Sequence, residues 1–502
     1  MEHKVTLIKK GFYKEVSIED GTSLLNCIQS YVSDFYAPCG GNGTCGKCRV
    51  NIKEEGGHVT SCLYPVESDI TVFLPEKSEM KVLASQYELT KLVELCPGES
   101  VKLAISPYGV AIDIGTTTMV FYIVNLLLGS IADIVTMVNP QSRYGADVIS
   151  RINYGHESPK HLANLQTPMI EAINAVIREY CKRTDVEIND FVKISVVGNT
   201  TMLHNLLGVD AITIALAPFT PKFTSAQLVE SHMLGIDINP KGTVLLSPSL
   251  SGYVGADILA GLASIDATKL KDNFLFIDIG TNGEMILVTP EKTLACATAA
   301  GPAFEGANIS CGMGAFSGAI SEFHDGEMKV IDDVIPKGVC GSGLIDIVAF
   351  MLKASLLSPE GNISEEFLLY KADRQEENIT LTQQDIREVQ LAKAAVYAGI
   401  IRLLSIAGKS VDDLDHILLA GGFGNYLNIS NAITIGLLPN LPLSKFIHIG
   451  NSAGSGAALA LKSEQFVEQI EKMKECIEYI ELSTDSEFPL EFAMSMNFDL
   501  ES

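Results

Sequence analysis

A short motif that occurs twice constrains the fold of this chain more than any other feature. Asp113-Ile-Gly-Thr-Thr and Asp278-Ile-Gly-Thr-Asn each stand between two apolar segments, 165 residues apart in a chain of 502. Each copy is typical of a strand, a tight turn and a second strand, and its glycine lets the backbone approach a phosphate group closely. The duplication therefore predicts two α/β halves, each a βββαβα unit, which hold a nucleotide between them.

A third segment completes this set of nucleotide-binding signals. An apolar strand that begins at Asp415 runs into the glycine turn Gly421-Gly422-Phe423-Gly424, which is suited to lie against an adenosine. Together the three segments resemble the ASKHA superfamily, which includes acetate and sugar kinases, heat-shock chaperone ATPases and actin. The resemblance covers residues 108–462.

The resemblance implies a site for ATP and Mg²⁺. Either Asp113 or Asp278 would act as the catalytic residue that positions the attacking water, and the sequence leaves open which. Hydroxyls and backbone N–H groups of the turns bind phosphate oxygens, while a carboxylate holds Mg²⁺ through water. The residues that the resemblance assigns to phosphate and adenosine binding are Gly115, Thr116, Thr117, Gly280, Thr281, Asn282, Gly421, Gly422 and Phe423.

Four of the 11 cysteines crowd into a glycine-rich region near the amino end. Cys39, Cys45, Cys48 and Cys62 have the spacing C-x5-C-x2-C-x13-C. Thiolates that converge in this way can hold a 2Fe–2S cluster, and the glycines let backbone N–H groups face its sulfides. The spacing resembles the 2Fe–2S ferredoxins, with one residue more than the plant type between the first two ligands. The alternative, a structural zinc site, usually pairs two C-x2-C knuckles, and this region has one.

The surrounding sequence predicts a small α+β domain of the β-grasp type. Residues 5–10 and 12–18 form a hairpin, a helix starts at residue 22, and further strands lie near 48–54 and 69–74. The helix predicted after the ATP-binding core spans 464–481 and leads into a flexible tail. The full prediction is a ferredoxin-type β-grasp domain at 1–80, a linker at 81–107, a first ASKHA lobe at 108–270, a second at 271–464, and a C-terminal helix and acidic tail at 465–502.

The charge balance excludes some classes of partner. A net charge of -25 disfavours nucleic acid and anionic membrane surfaces, because both are themselves negative. The sequence has no uncharged apolar run of about 18 residues, and its first ten residues lack the apolar core of a signal peptide. We therefore expect a cytoplasmic protein whose partners are proteins and small molecules.

The union of a cluster domain with an ASKHA core resembles one family in particular, the reductive activators of corrinoid proteins. The segments at 139–152, 198–202 and 300–306 also resemble that family. The resemblance implies ATP-dependent reduction of Co(II) to Co(I) for methyl transfer in anaerobic one-carbon metabolism, such as O-demethylation. It also implies a homodimer and an external electron donor, such as a ferredoxin, a flavodoxin or a reductase. Longer members carry a middle domain, and the roughly 25 residues between the two modules lead us to expect that it is missing.

Three other functions compete with this interpretation. An activator of a 2-hydroxyacyl-CoA dehydratase would use ATPase-domain cysteines for a 4Fe–4S cluster, and Cys340 resembles one such ligand. The second cysteine that this would require is absent from residues 341–475. A redox-regulated small-molecule kinase would phosphorylate a substrate, and a plain electron carrier would not bind ATP.

The segments at 196–204, 300–306 and 450–456 either line the cleft or simply pack strands against helices.

Overall fold

The computed structural model describes residues 2–9, 12–32, 35, 37, 41, 43, 48–75, 98–145, 147–265, 273–373, 378–424 and 426–498. These residues form a small amino-terminal domain and two larger halves, each built on a six-stranded sheet. Two of the predicted cluster ligands, Cys39 and Cys45, lie outside the described residues, as does most of the predicted linker.

The amino-terminal domain has a five-stranded sheet of order β2-β1-β7-β4-β5, on which one helix packs. Strand β1 pairs antiparallel with β2 and parallel with β7, and this mixed arrangement confirms the predicted β-grasp domain. Its core is apolar because alternate strand residues such as Val5 and Leu7 face Leu24 and Ile28 of the helix. The elements are β1 Glu2–Lys9, β2 Phe12–Glu19, β3 Thr22–Ser23, α1 Leu24–Tyr31, β4 Arg49–Ile52, β5 Gly57–Thr60, β6 Pro65–Val66 and β7 Ile70–Phe73.

The first large half contains the first copy of the repeated motif. Its elements are β8 Tyr108–Ile114, β9 Thr118–Asn125, β10 Ser130–Val138, α2 Val148–His156, α3 Pro159–Arg183, β11 Phe191–Gly198, α4 Thr200–Leu206, α5 Ile212–Ala215, β12 Gln227–Glu230, β13 Thr243–Leu246 and α6 Ala256–Ala263. The sheet order is β10-β9-β8-β11-β13-β12. Strand β8 is antiparallel to β9 and parallel to β11, so the motif lies at the centre of the sheet.

The second half repeats this plan around the second copy of the motif. Its sheet has the order β23-β22-β14-β15-β16-β24, with β14 antiparallel to β15 and parallel to β22. The elements are β14 Phe274–Ile279, β15 Gly283–Val288, β16 Thr293–Thr298, β17 Ala319–His324, β18 Glu327–Val330, β19 Gly338–Val339, α7 Gly341–Lys353, β20 Phe367–Tyr370, β21 Ile379–Leu381, α8 Gln383–Ala407, β22 His416–Ala420, α9 Gly421–Gly424, α10 Ile429–Thr434, β23 Phe446–Gly450, α11 Ser452–Lys462, α12 Glu464–Glu475, β24 Ile477–Tyr479 and α13 Phe488–Met494. The repeated meander followed by a parallel strand confirms the duplicated ASKHA fold.

Two small-residue helices, α6 and α11, join the halves. A Cβ atom on Gly456 of α11 would lie 2.3 Å from the backbone oxygen of Ala260 in α6, so the two helices cross at backbone contact. Helix α11 directly follows β23 of the second sheet, yet it packs against strands β8 and β11 of the first. The crossing brings the ends of β8 and β14 to opposite sides of one cleft.

The carboxyl end of the chain differs from the sequence prediction. Helix α12 ends at Glu475 rather than at residue 481, and β24 then joins the second sheet parallel to β16. The backbone N–H of Phe498 donates to the Pro359 oxygen at 2.8 Å, so the described part of this segment is packed. The apolar side chains Ile477 and Phe498 are buried there, which explains the order.

One helix in the described part of the chain, α8, is long and apolar enough to cross a membrane. In its most apolar stretch, 67% is buried inside the core of the second half. This is the pattern of a core helix in a globular domain.

Candidate nucleotide cleft and cysteine loop

The first turn is fixed in place by one backbone hydrogen bond and two side-chain amides. The Gly115 N–H donates to the Thr118 oxygen at 2.8 Å, which closes the turn between β8 and β9. Asn139 Nδ2 donates to the Gly115 oxygen at 2.8 Å, and Asn199 Nδ2 donates to Thr116 Oγ1 at 3.1 Å. Because both amides belong to other segments of the first half, the turn is fixed from two sides.

The second turn is closed by a hydrogen bond that spans two residues rather than three. The Gly280 N–H donates to the Asn282 oxygen at 2.9 Å, and Asp278 stands just before the turn on β14. Gly421, at the end of β22, lies directly over Asp278, since a Cβ atom on it would be 2.3 Å from the carboxylate oxygen. The predicted catalytic residue and the predicted adenosine segment are therefore in contact.

A glutamate bridges the two turns. Thr117 Oγ1 donates to Glu305 Oε2 at 2.7 Å, and Thr281 Oγ1 donates to Glu305 Oε1 at 2.9 Å. The two predicted phosphate-binding turns thus face each other across a distance that a single carboxylate can span.

Three aspartates share the floor of the cleft. Burial raises the pKa of Asp113 to about 6. Asn451 Nδ2 donates to Asp113 Oδ2 at 3.0 Å, and this hydrogen bond partly offsets the rise. Burial, together with the charges of Asp113 and Glu305, raises the pKa of Asp278 to about 7. Burial and the charges of Asp113 and Asp278 raise the pKa of Asp257, at the start of α6, to about 8. The shifts arise because these carboxylates are desolvated and repel one another.

A fourth carboxylate, Glu284, lies behind these aspartates. Burial raises the pKa of Glu284 well above its usual range, and the charges of Asp257 and Asp278 raise it further. Its Oε1 atom is buried and has no hydrogen-bond partner among the described residues. In the described part of the chain, no lysine or arginine forms an ion pair with any of these four carboxylates. The described residues contain no set of three or more carboxylate, histidine or cysteine ligands arranged around one point, so a cation here would rely mainly on water and phosphate oxygens, as Mg²⁺ does when it takes one or two carboxylates.

The predicted adenosine segment is divided between packing and an open surface. Phe423 stacks on Phe304 with ring centroids 5.4 Å apart, and the Phe423 ring and the Phe304 backbone carbonyl lie against Gly341. Gly422 is exposed, and a Cβ atom on it would meet nothing within 4 Å. The open face beside Gly422 is where a flat ring could lie.

A fully buried arginine stands behind the first turn. Arg151 Nε donates to the Gly145 oxygen at 2.9 Å, and Nη1 lies 3.4 Å from Gln141 Oε1. Burial lowers the pKa of Arg151 to about 10, against the charges of Asp147 and Glu305. Among the described residues no carboxylate forms an ion pair with this guanidinium.

The described part of the cysteine region brings two of the four predicted ligands together. The Cys62 backbone N–H lies 3.4 Å from Cys48 Sγ and donates to it. A Cβ atom on Gly41 would lie 3.9 Å from Cys62 Cβ, so Gly41 packs beside this cysteine. An N–H directed at a sulfur suits a thiolate ligand, and the described residues therefore fit an iron–sulfur cluster. Cys340, by contrast, is buried and its thiol donates to the Ile320 oxygen, which does not suit a ligand shared between subunits.

The sequence missed several residues of the cleft. Asp257 had no signal beyond a carboxylate at the start of an apolar helix. Glu305 and Asn451 lie in segments whose small residues were compatible with either packing or the cleft, and the structure brings both to the cleft. His204 is a packing residue, since its ring is buried, stacks on Phe223 and accepts from the Lys222 N–H.

Fold and cleft together define an ASKHA-type core joined to a ferredoxin-like β-grasp domain. Residues 272–501 match a family described as the C-terminal domain of RACo, the ASKHA domain, and residues 108–270 match the RACo middle region. The chain therefore belongs to the RACo family of reductive activators of corrinoid proteins.

Relatives extend over almost the whole chain. The corrinoid activation enzyme RamQ of Eubacterium limosum is 31% identical in an alignment that covers 94% of this chain and 96% of RamQ. The "[Co(II) methylated amine-specific corrinoid protein] reductase" of Methanosarcina barkeri is 25% identical over 72% of this chain and 70% of its own length. A solved structure named "Reductive activator for corrinoid,iron-sulfur protein" is 30% identical, covers 99% of both chains and has a TM-score of 0.74.

The match to the middle region bears on one expectation. We expected a missing middle domain, because few residues separate the cysteine loop from the first Asp-Ile-Gly-Thr turn. The region that the family calls its middle coincides with residues 108–270, which contain that turn. The match therefore lies within the first half, and the expected loss of a domain between the linker and this half stays a prediction.

Proposed function

We propose that this protein uses ATP hydrolysis to drive the reduction of a corrinoid protein from Co(II) to Co(I). The observation that carries the proposal is one chain that combines a cysteine loop with a two-turn nucleotide cleft, in a family whose named members activate or reduce corrinoid proteins. The chain's cluster, a 2Fe–2S centre on Cys39, Cys45, Cys48 and Cys62, supplies a one-electron carrier. An external ferredoxin, flavodoxin or reductase provides the electron, and the product is a Co(I) corrinoid competent for methyl transfer.

ATP is needed because the electron moves uphill. Each 59 mV of one-electron deficit lowers the equilibrium yield about tenfold, and plant-type clusters lie near roughly −400 mV. An acceptor more negative than the cluster would stay oxidised unless nucleotide binding or hydrolysis changed the acceptor's surroundings. A cleft whose two walls belong to different halves is suited to convert nucleotide binding into such a movement.

The described residues of the cleft suit these roles. Thr116, Thr117, Thr281 and Asn282 stand in the two turns and would bind the phosphates, while Asp113 and Asp278, at the ends of β8 and β14, would hold Mg²⁺ through water. Asp278 is our choice for the residue that positions the attacking water. Its pKa of about 7 leaves part of the population ionised and able to accept a proton near neutral pH, and among the described residues no side chain donates to it as Asn451 donates to Asp113.

Three further assignments follow from family membership and charge. We propose a homodimer, a cytoplasmic location and residues 108–270 and 271–464 as the two ASKHA lobes. A corrinoid protein is the acceptor, and the net charge of -25 makes basic surfaces on that protein and on the donor the expected docking faces.

The test is an anaerobic reduction assay. The reconstituted full chain is mixed with titanium(III) citrate, MgATP and the corrinoid protein encoded nearest to its gene, and the Co(II) and Co(I) absorbance bands are followed. We expect Co(I) to form only when protein, reductant and ATP are all present. Absence of Co(I) with a corrinoid protein that a chemical reductant can reach would contradict the proposal.

Two variants separate the parts of the reaction. Cys45→Ala should abolish the visible cluster bands and the reduction while nucleotide affinity stays unchanged. Asp278→Asn should keep the cluster and lose ATP hydrolysis. A phosphorylated small molecule formed in place of Co(I) would favour the alternative, a redox-regulated kinase.

A further inference from the structure

The Glu305 bridge is a contact that a nucleotide-binding cleft does not require. Its two oxygens accept hydrogen bonds from Thr117 at 2.7 Å and from Thr281 at 2.9 Å, one from each half. We propose that Glu305 occupies the position of a phosphate group in the nucleotide-free protein and is displaced when the polyphosphate of ATP binds. This inference rests on the proposed ATP binding and adds to it a residue that positions both turns.

Hydrogen-bond capacity makes the two states exclusive. A threonine hydroxyl has one proton and can donate to one acceptor at a time. Neither Thr117 nor Thr281 can donate to a phosphate oxygen while it donates to Glu305. A carboxylate beside a phosphate also adds repulsion between two anions in a partly desolvated cleft.

The backbone around Glu305 is fixed, so the side chain is the part that moves. Gly306 has a φ of +80°, and a Cβ atom on it would lie 2.4 Å from the Met313 oxygen. The preceding residue, Phe304, stacks on Phe423 of the adenosine segment. One short turn, residues 304–306, therefore contacts the phosphate-binding and the adenosine-binding parts of the cleft.

A buried cation lies near the cleft. The Arg151 guanidinium is buried behind the first turn, where its Nε donates to the Gly145 oxygen at 2.9 Å, and no carboxylate in the described part of the chain pairs with it. The exchange does not require the released Glu305 carboxylate to pair with this cation. The cleft has two arrangements: Glu305 bridging the halves, or phosphate between them with Glu305 displaced.

Nucleotide titrations of the full chain test the proposal. We expect Glu305→Gln and Glu305→Ala to bind the Mg²⁺ complex of β,γ-imido-ATP about tenfold more tightly than the unmodified protein, because the competing anion is gone. Affinity for AMP, which lacks the displacing phosphates, should stay the same. Glu327→Gln, which alters an exposed glutamate on β18 of the same half, is the matched control and should change neither affinity.

The origin of any gain is checked in a second background. In a protein that carries Thr117→Val and Thr281→Val, the bridge is already absent. Adding Glu305→Gln there should tighten imido-ATP binding by less than the same substitution does in the unmodified protein. Unchanged or weaker imido-ATP binding by both Glu305 variants, with native thermal unfolding, would overturn the inference and leave the proposed function standing. Failure of the unmodified chain to bind any nucleotide would overturn both.

Discussion

Replacing Gly421 by alanine should displace the Asp278 carboxylate. Gly421 has a φ of +80°, and an added Cβ atom would lie 2.3 Å from Asp278 Oδ1. Ordinary van der Waals contact begins at 3.4 Å, so the carboxylate or the glycine segment must shift by about 1 Å. The substitution therefore moves the proposed catalytic group without changing its chemistry.

The expected loss is large for hydrolysis and modest for stability. A misplacement of about 1 Å at a reacting group costs on the order of 100-fold in rate. Alanine in a left-handed conformation costs roughly 1–2 kcal/mol of unfolding free energy. We expect the ATPase rate of Gly421→Ala to fall about 100-fold, measured by steady-state phosphate release, while chemical denaturation shows a loss of that smaller size.

Gly408→Ala separates strain from displacement. Gly408 ends helix α8 with a φ of +66°, and an added Cβ atom there would meet nothing within 4 Å. This control should lose stability to a similar degree while its ATPase rate stays unchanged. Equal ATPase rates in the two variants would refute the reasoning, because they would show that the position of Asp278 under Gly421 does not control hydrolysis.

Two further predictions concern pH. The pKa of Asp278 is raised to about 7, so the nucleotide-free folded state binds more protons than the unfolded state between about pH 4 and 7. The free energy of unfolding therefore falls as pH rises through that range. Asp278→Asn should flatten this fall when it is measured by chemical denaturation, and an unchanged slope would contradict the prediction. Burial lowers the pKa of Lys393 to about 7. Its Nζ donates to the Asn497 oxygen and lies 5.4 Å from the centroid of the Phe498 ring. Because the unfolded state binds more protons than the folded state between about pH 7 and 10, the free energy of unfolding rises with pH over that range. Lys393→Met should remove that rise, and persistence of the rise in the variant would assign it to another group.

The parts of the fold that the sequence predicted well are those encoded locally. The turns after Asp113 and Asp278 need a glycine and small hydroxyl residues between two apolar strands, and the structure has both turns closed by short backbone hydrogen bonds. The hairpin of β1 and β2 follows from alternating apolar residues in the same way. Each signal lies within about 20 residues, so no knowledge of the tertiary structure is needed.

The residues that complete the cleft are not encoded locally. Asn451 is 338 residues from Asp113, and Glu305 is 188 residues from Thr117, yet both pairs are hydrogen bonded. In the sequence each stands in a small-residue turn that suits ordinary packing equally well. Only the crossing of α6 and α11 decides that these turns face the nucleotide, and that crossing depends on the whole fold.

The short strand β24 shows the same limit at the edge of a sheet. Ile477–Tyr479 has three residues, too few for a periodic pattern, and its paired residues in β16 lie 184 positions earlier in the sequence. The acidic composition of the region predicted a tail, whereas pairing of β24 with β16 and packing of α13 against α8 determine its actual structure.

The cleft is arranged so that the protein without nucleotide is under electrostatic strain. Asp113, Asp257, Asp278 and Glu284 are desolvated together, and burial raises the pKa of each. Buried carboxylates without a counter-ion destabilise a fold, so a core chosen for stability alone would not place four of them between two sheets. In the proposed nucleotide-bound state, Mg²⁺ would relieve that repulsion and a phosphate group would replace Glu305 between the turns. Since the strained groups come from both halves, the relief is greatest when the halves adopt one particular relative position, and nucleotide binding can therefore select that position.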